Sequence, residues 1–254
     1  MRRHRRVQPS EELTLVDHLD ELRARLVVVL AVLAVAVSIC FWQSGAILNA
    51  LAAPLPSHHG HTYRFLVTNP LDGIMTSISI AIYGGLMLTM PIATYQLYAY
   101  LIPAVDERHH RSMRPLVLMI PTLFIVGVVF AWYLVVPPAL GFLLGFNSQA
   151  FTVQLRAKDY IQFVMLSLLA MGVVFEMPAV MLVLARLGLM SSALMRRHWR
   201  ISIVVLAVVA MLLPGVDPIS FIIEFVPLLL LYALSYLIVR AVERRGSATL
   251  STGV

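Results

Sequence analysis

The chain has 254 residues, 60% of them hydrophobic and 13% charged, with a formal net charge of +6. Its apolar runs are too long and too many for a soluble domain and mark an integral membrane protein. The basic residues are spread over several short segments, which excludes a single nucleic-acid-binding stripe, and the lone Cys40 excludes an intrachain disulfide.

The chain starts Met1-Arg2-Arg3-His4-Arg5-Arg6, which resembles the basic start of a signal peptide. An acidic stretch and a long apolar run follow, without a clean small-residue cleavage site, so an uncleaved anchor is expected. Over about residues 12–25, Leu15, Leu19, Leu22 and Leu26 form one apolar stripe at helical spacing, and Asp17 and Glu21 share another face. This predicts a short amphipathic helix lying against the membrane and displaying carboxylates. Such carboxylates suit a cationic partner, above all a guanidinium, which binds a carboxylate through two parallel hydrogen bonds. The competing reading is an internal pair between Glu21 and Arg25, four residues on.

Six spans are predicted: Leu26–Leu48, Ile74–Ile102, Pro115–Val136, Tyr160–Leu187, Ile201–Leu213 and Ile219–Val239. The fifth rises only about 20 Å as a helix, short of the roughly 30 Å hydrocarbon core. The expected architecture is an all-α, single-domain membrane bundle over residues 1–245, kinked and concave, with short fifth and sixth helices and a disordered tail over 246–254. Gly84, Gly85, Pro91, Pro121, Gly127, Gly172, Pro178 and Pro227 supply the kinks and close approaches. The longer loops, about Gln43–Gly73 and Pro137–Asp159, contain prolines and are expected to be ordered caps.

Sixteen of the 19 basic residues fall in four segments: before the first span, between the second and third, between the fourth and fifth, and after the sixth. Arg64, Arg156 and Lys158 are the basic residues of the intervening loops. The positive-inside rule therefore predicts that both termini are cytoplasmic.

Glu176 lies near the middle of the fourth span, in Phe175-Glu176-Met177-Pro178, with no basic residue one turn away. An ionisable group at that depth marks a functional site by default; the alternative is a neutral acid hydrogen-bonded within the bundle. Glu224, in the sixth span, sits nearer the outer edge, where headgroup water can satisfy it. Asp217 precedes the sixth helix and is read first as its cap. His58, His59 and His61 lack companions for a metal site and read as solvated loop residues, while His109, His110 and His198 read as interfacial. There is no nucleophile elbow, zinc-binding His-Glu-x-x-His or phosphate loop, so the chain is not read as an enzyme and no cofactor is expected.

His18-Leu19-Asp20-Glu21-Leu22-Arg23 with Arg25 ahead of the first span, and Phe175-Glu176-Met177-Pro178 within the fourth, resemble the TatC family. This family is the multi-spanning core of the twin-arginine, Sec-independent protein translocase. The resemblance covers about Leu15 to Arg240. It implies a non-enzymatic receptor in the bacterial cytoplasmic membrane that binds paired-arginine signal peptides of folded cargo. It also implies assembly with single-span TatA- and TatB-type subunits, within a receptor complex that is itself homo-oligomeric, driven by the proton-motive force. By motif, Glu21 would bind the arginine pair, with His18 and Arg23 on the same surface and Tyr100 at the end of the second span. Glu176 would face a pocket for a partner's span. The family's second loop glutamate falls at His109 in an ungapped count, or at Glu107 after a local shift. In the last turn the family's Thr-Pro-Pro-Asp becomes Pro214-Gly215-Val216-Asp217, retaining the aspartate, and a common glutamine becomes Phe221. The rival reading is a six-span secondary transporter or channel with Glu176 as a proton or cation site.

Overall fold

A computed structural model of the chain describes residues 15–53, 55, 65–66, 69–101, 110–146, 155–214 and 217–251. The first helix, α1, runs unbroken over Leu15–Trp42. The amphipathic stretch is thus not a separate helix lying on the membrane but the first turns of the span itself. The physical reason is plain: no proline or glycine interrupts residues 15–42, so nothing stops the helix propagating. Leu19, Leu22 and Leu26 are exposed, as a face turned to lipid would be.

After a break at Gln43, α2 (Ser44–Leu51) occupies part of the predicted loop. Helix α3 (Asp72–Leu101) is the second span and carries Pro91 inside it. The third span is longer than expected. Helix α4 (His110–Phe130) passes through a π-helical turn at Ala131–Val135 into α5 (Val136–Gly145), so Pro137 and Pro138 lie within a helix and not in a loop. Prolines are tolerated in the first turn of a helical segment, where their missing N–H would have no partner anyway, and the π turn creates such a start.

The fourth span is divided at Glu176 into α6 (Ala157–Phe175) and α7 (Met177–Arg186). A short α8 (Ser192–Arg197) leads into α9 (Trp199–Leu212), the expected short fifth span. The last helix, α10, extends over Pro218–Ser251, with its apolar, membrane-length part at Pro218–Arg244. The sixth span is therefore not short, and the tail expected to be disordered is helical to Ser251. Arg240-Ala241-Val242-Glu243-Arg244 is rich in strong helix formers. Glu243 also accepts hydrogen bonds from the Ser192 backbone N–H (2.9 Å) and the Ser192 hydroxyl, fastening α10 to the start of α8.

Among the described residues, five helical spans are long and apolar enough to cross a membrane, and α9 adds a shorter one. The fourth is the most enclosed. Helix α6 packs against both α3 and α4, and Ile161, Val164, Leu168 and Met171 join Ile80, Val135, Leu140, Leu206 and Leu228 in the main core. A smaller cluster forms around Tyr98, Ile120, Ala179, Leu182 and Val183.

The described parts of the two long loops are tied to one another and to the helices. The Leu66 N–H donates to the Leu155 carbonyl at 2.8 Å, and Arg156 reaches Asp72 at 3.5 Å. The buried Tyr160 hydroxyl donates to the Leu51 carbonyl at 2.6 Å, joining α2 to α6. Tyr160→Phe strips that carbonyl of its donor, and a hydrogen bond of this type contributes about 1 kcal/mol. Its thermal unfolding midpoint in detergent is expected to fall while helix content stays constant.

Candidate functional site

The structure builds two polar centres where sequence reasoning placed candidate residues. The first lies at the start of α1. Glu21 is half-buried, and its Oε1 accepts from Arg25 Nε at 3.0 Å and Nη2 at 2.5 Å. The internal pair is therefore formed. Arg25 also spends its remaining terminal nitrogen on another helix: Nη1 donates to Gln96 Oε1 on α3 at 2.9 Å. Arg25 thus pins Glu21 to the end of α3. Tyr100, one turn beyond Gln96, lies in the last turn of α3 on that same side. Arg23 is exposed beside the pair. His18 lies on α1, but its side chain is outside the described residues, as are Glu107 and His109 in full. Gln96 was not singled out from the sequence; a polar residue four before Tyr100, near the end of an apolar run, was the available signal.

The second centre surrounds Glu176. The backbone there serves as the C-cap of α6 and the N-cap of α7, with φ −74° and ψ −8°. Pro178 dictates the break, because it cannot donate into the preceding turn and restricts the residue before it. The Glu176 side chain is only 6% exposed. Its Oε1 has no hydrogen-bond partner among the described residues. From α3, Thr94 hydrogen-bonds the side chain, and Tyr98 lies within electrostatic reach. Thr94 and Tyr98 are four apart and share a face, the spacing that could have revealed them. Val173 and Val180, one turn to either side of Glu176, are exposed. The carboxyl thus sits just beneath an accessible strip with one oxygen uncommitted. An arrangement of this kind can accept one hydrogen bond from a donor outside the chain.

Asp217 and Phe221 do not join this centre by any observed contact. Asp217 is the cap of α10: its Oδ1 accepts from the backbone N–H of Ile219 (3.1 Å) and Ser220 (2.8 Å), with Pro218 in the first helical position. Phe221 stacks on Phe225, ring centroids 5.3 Å apart, and packs against the main core. Glu224 is not at a hydrated edge as expected: it is 0% exposed, because its helical face is turned inward. No group of three or more metal-ligating side chains occurs among the described residues.

Comparison with known proteins agrees with this architecture. Residues 17–227 match the family model described as Sec-independent protein translocase protein (TatC). The chain is 32% identical over 215 residues to the Sec-independent protein translocase protein TatC of Synechocystis sp., covering 84% of this chain and 83% of that one. It is 29% identical over 236 residues to the protein of the same description from Magnetococcus marinus, covering 93% and 87%. A crystal structure of the twin-arginine translocase receptor TatC superposes with a TM-score of 0.76 at 30% identity, covering 88% of this chain and 98% of the other. With the family model matched over most of its length and the same helical bundle, this chain belongs to the TatC family of Sec-independent protein translocase proteins.

Proposed function

We propose that the chain is the twin-arginine signal-peptide receptor and core subunit of a translocase that exports folded proteins under the proton-motive force. In this reading it resides in a bacterial cytoplasmic membrane with both termini in the cytoplasm, as the arginine distribution favours. The observation that carries the reading is the Glu21–Arg25–Gln96 linkage, which holds a half-buried carboxylate at one end of the bundle beside Tyr100. The linkage fixes Glu21 in advance, so less conformational entropy is lost when a guanidinium arrives. Arg25 occupies Oε1, and the peptide's arginine takes the other edge of the carboxylate. Arg23 and His18 border the same surface, and Glu107 or His109 supplies the contact to the second arginine.

The Glu176 centre is the docking point for the span of a single-span TatA- or TatB-type subunit, whose polar side chain satisfies the uncommitted Oε1. Phe221 offers that span an apolar contact, and Asp217 fixes where α10 begins. Several copies of the chain assemble in the receptor complex. The chain performs no chemistry of its own: the residues gathered here accept and donate hydrogen bonds but include no nucleophile with a paired base.

Site-specific photocrosslinking of a precursor to probes placed beside Glu21 tests the reading. A twin-arginine precursor is expected to crosslink, and a twin-lysine precursor to lose most of the signal, because an ammonium cannot make the paired, planar contact. Equal crosslinking of the two precursors would remove the receptor assignment.

A further inference from the structure

The first turns of α10 hold four buried polar atoms for which the receptor reading has no use. Asp217, Ser220 and Glu224 stand at positions i, i+3 and i+7 of one helical face, and all three are buried. Asp217 Oδ2, the Ser220 hydroxyl and both oxygens of Glu224 have no hydrogen-bond partner among the described residues. Ser220 and Glu224 are each 0% exposed. The same face continues inward through Leu228, Leu231, Ser235 and Val239, all buried, so this is the side of α10 that meets the bundle.

The enclosure limits what can bind. Glu176 lies beneath an exposed strip, whereas Glu224 is followed on its own face by the buried Leu228 and preceded by the buried Ser220. A partner's side chain has no route to it without rearrangement. No ion pair joins Asp217 or Glu224 to a cation among the described residues. The π turn and α5 carry Tyr133 as their sole titratable residue, and it is exposed. Arg200 of α9 lies at the end of that helix remote from Asp217, and Arg196 and Arg197 of α8 precede it. Arg186 ends α7, Glu176 caps its start, and α6 carries Lys158, Asp159 and Tyr160 in its first turn, at the same end of the bundle as the start of α10. Asp217, itself an anion, stands seven residues before Glu224 on the same face.

A carboxylate enclosed without a cation or a donor is strongly disfavoured, and the smallest species that relieves it is a proton. We propose that Asp217, Ser220 and Glu224 form an enclosed proton-binding site in the first two turns of α10, with Glu224 as the residue that takes the proton. Uptake forms one O–H bond on the Glu224 carboxylate and changes its charge from −1 to zero; release reverses both. Ser220, one turn back, carries a hydroxyl that can accept from the acid or donate to the carboxylate. Asp217 keeps the ionised form costly, since two anions would then share one unsolvated face. Release therefore requires water to reach the first turns of α10. The proposal is independent of signal-peptide binding at Glu21.

Infrared difference spectroscopy of the full chain in lipid bilayers tests it directly. A carboxylic-acid C=O band is expected that disappears reversibly as pH is raised and is absent from Glu224→Gln. Asp217→Asn and Ser220→Ala are each expected to shift the frequency of that band without removing it. If Glu224→Gln does not fold, Glu224→Asp, which keeps the carboxyl, is expected to move the band, and carboxyl-¹³C-glutamate shifts the parent band but not that of Glu224→Asp. Absence of any acid band assignable to Glu224 would overturn the proposal. So would a Glu224 band that neither Asp217→Asn nor Ser220→Ala moves, because the acid would then be isolated and not part of a shared site.

Discussion

Glu21→Gln is expected to abolish most crosslinking of a twin-arginine precursor while leaving membrane insertion intact. The substitution keeps the side chain's size and an acceptor oxygen but removes the charge. Hydrogen bonds to charged groups contribute about 1.5–3 kcal/mol each, so losing one contact of this kind weakens binding roughly 10- to 100-fold. The internal bridge to Arg25 alone would not produce such a loss, since pairs of this exposure contribute about 0–1 kcal/mol to stability. Gln96→Ala separates the two roles. It frees Arg25 from α3 but leaves the Glu21 charge in place, so crosslinking should weaken by a few-fold only. Full crosslinking in Glu21→Gln would take Glu21 out of the binding surface.

The largest effect on folding is expected from Gly127→Val. A Cβ at Gly127 would lie 2.7 Å from the Met171 carbonyl oxygen, 2.8 Å from Phe175 Cβ and 2.9 Å from Gly172 Cα. Two of these three neighbours are main-chain atoms of α6, which cannot swing aside as a flexible side chain would. Gly172 in turn receives the Phe124 ring, which would lie 2.7 Å from a Cβ there. Helices α4 and α6 therefore meet backbone to backbone through two glycines, the close approach that small residues permit in membranes. Overpacking a site of this kind costs about 1–3 kcal/mol for modest additions, and valine adds three carbons. The expected result is a sharp drop in the thermal midpoint in detergent and in the amount of folded protein recovered. Helix α6 leads directly to the break at Glu176, so partner docking should fail in whatever protein remains. Gly141→Ala is the matched control, because no atom lies within 4 Å of a Cβ at that position. Equal stability of Gly127→Val and the parent chain would contradict the observed packing.

Much of this molecule is legible from its residues because lipid is a demanding solvent. A membrane forces backbone hydrogen bonds to close within each segment, so long apolar runs become helices. The predicted span boundaries fail where a local rule was applied without its neighbours. Pro137 and Pro138 read as a loop until the π turn ahead of them supplied a fresh helix start. Arg240 to Arg244 read as the end of a span, although charged residues that end a membrane crossing need not end a helix. Gln96, Thr94 and Tyr98 were visible as polar residues in an apolar run, but nothing in one helix says that Arg25 of another will reach Gln96.

By itself the sequence determined the six apolar spans, the unpaired carboxylates along them and the carboxylate-rich start of α1. These follow from composition and periodicity, which act within single segments. The tertiary structure alone decided which carboxylates are enclosed and which remain within reach. Glu176 and Glu224 look alike in sequence, each an isolated acid in an apolar helix. One lies at a helix break under an exposed strip, and the other lies on the inward face of α10 with no surface at all. That difference depends on how α3, α7, α9 and α10 pack, and packing joins residues that lie far apart along the chain.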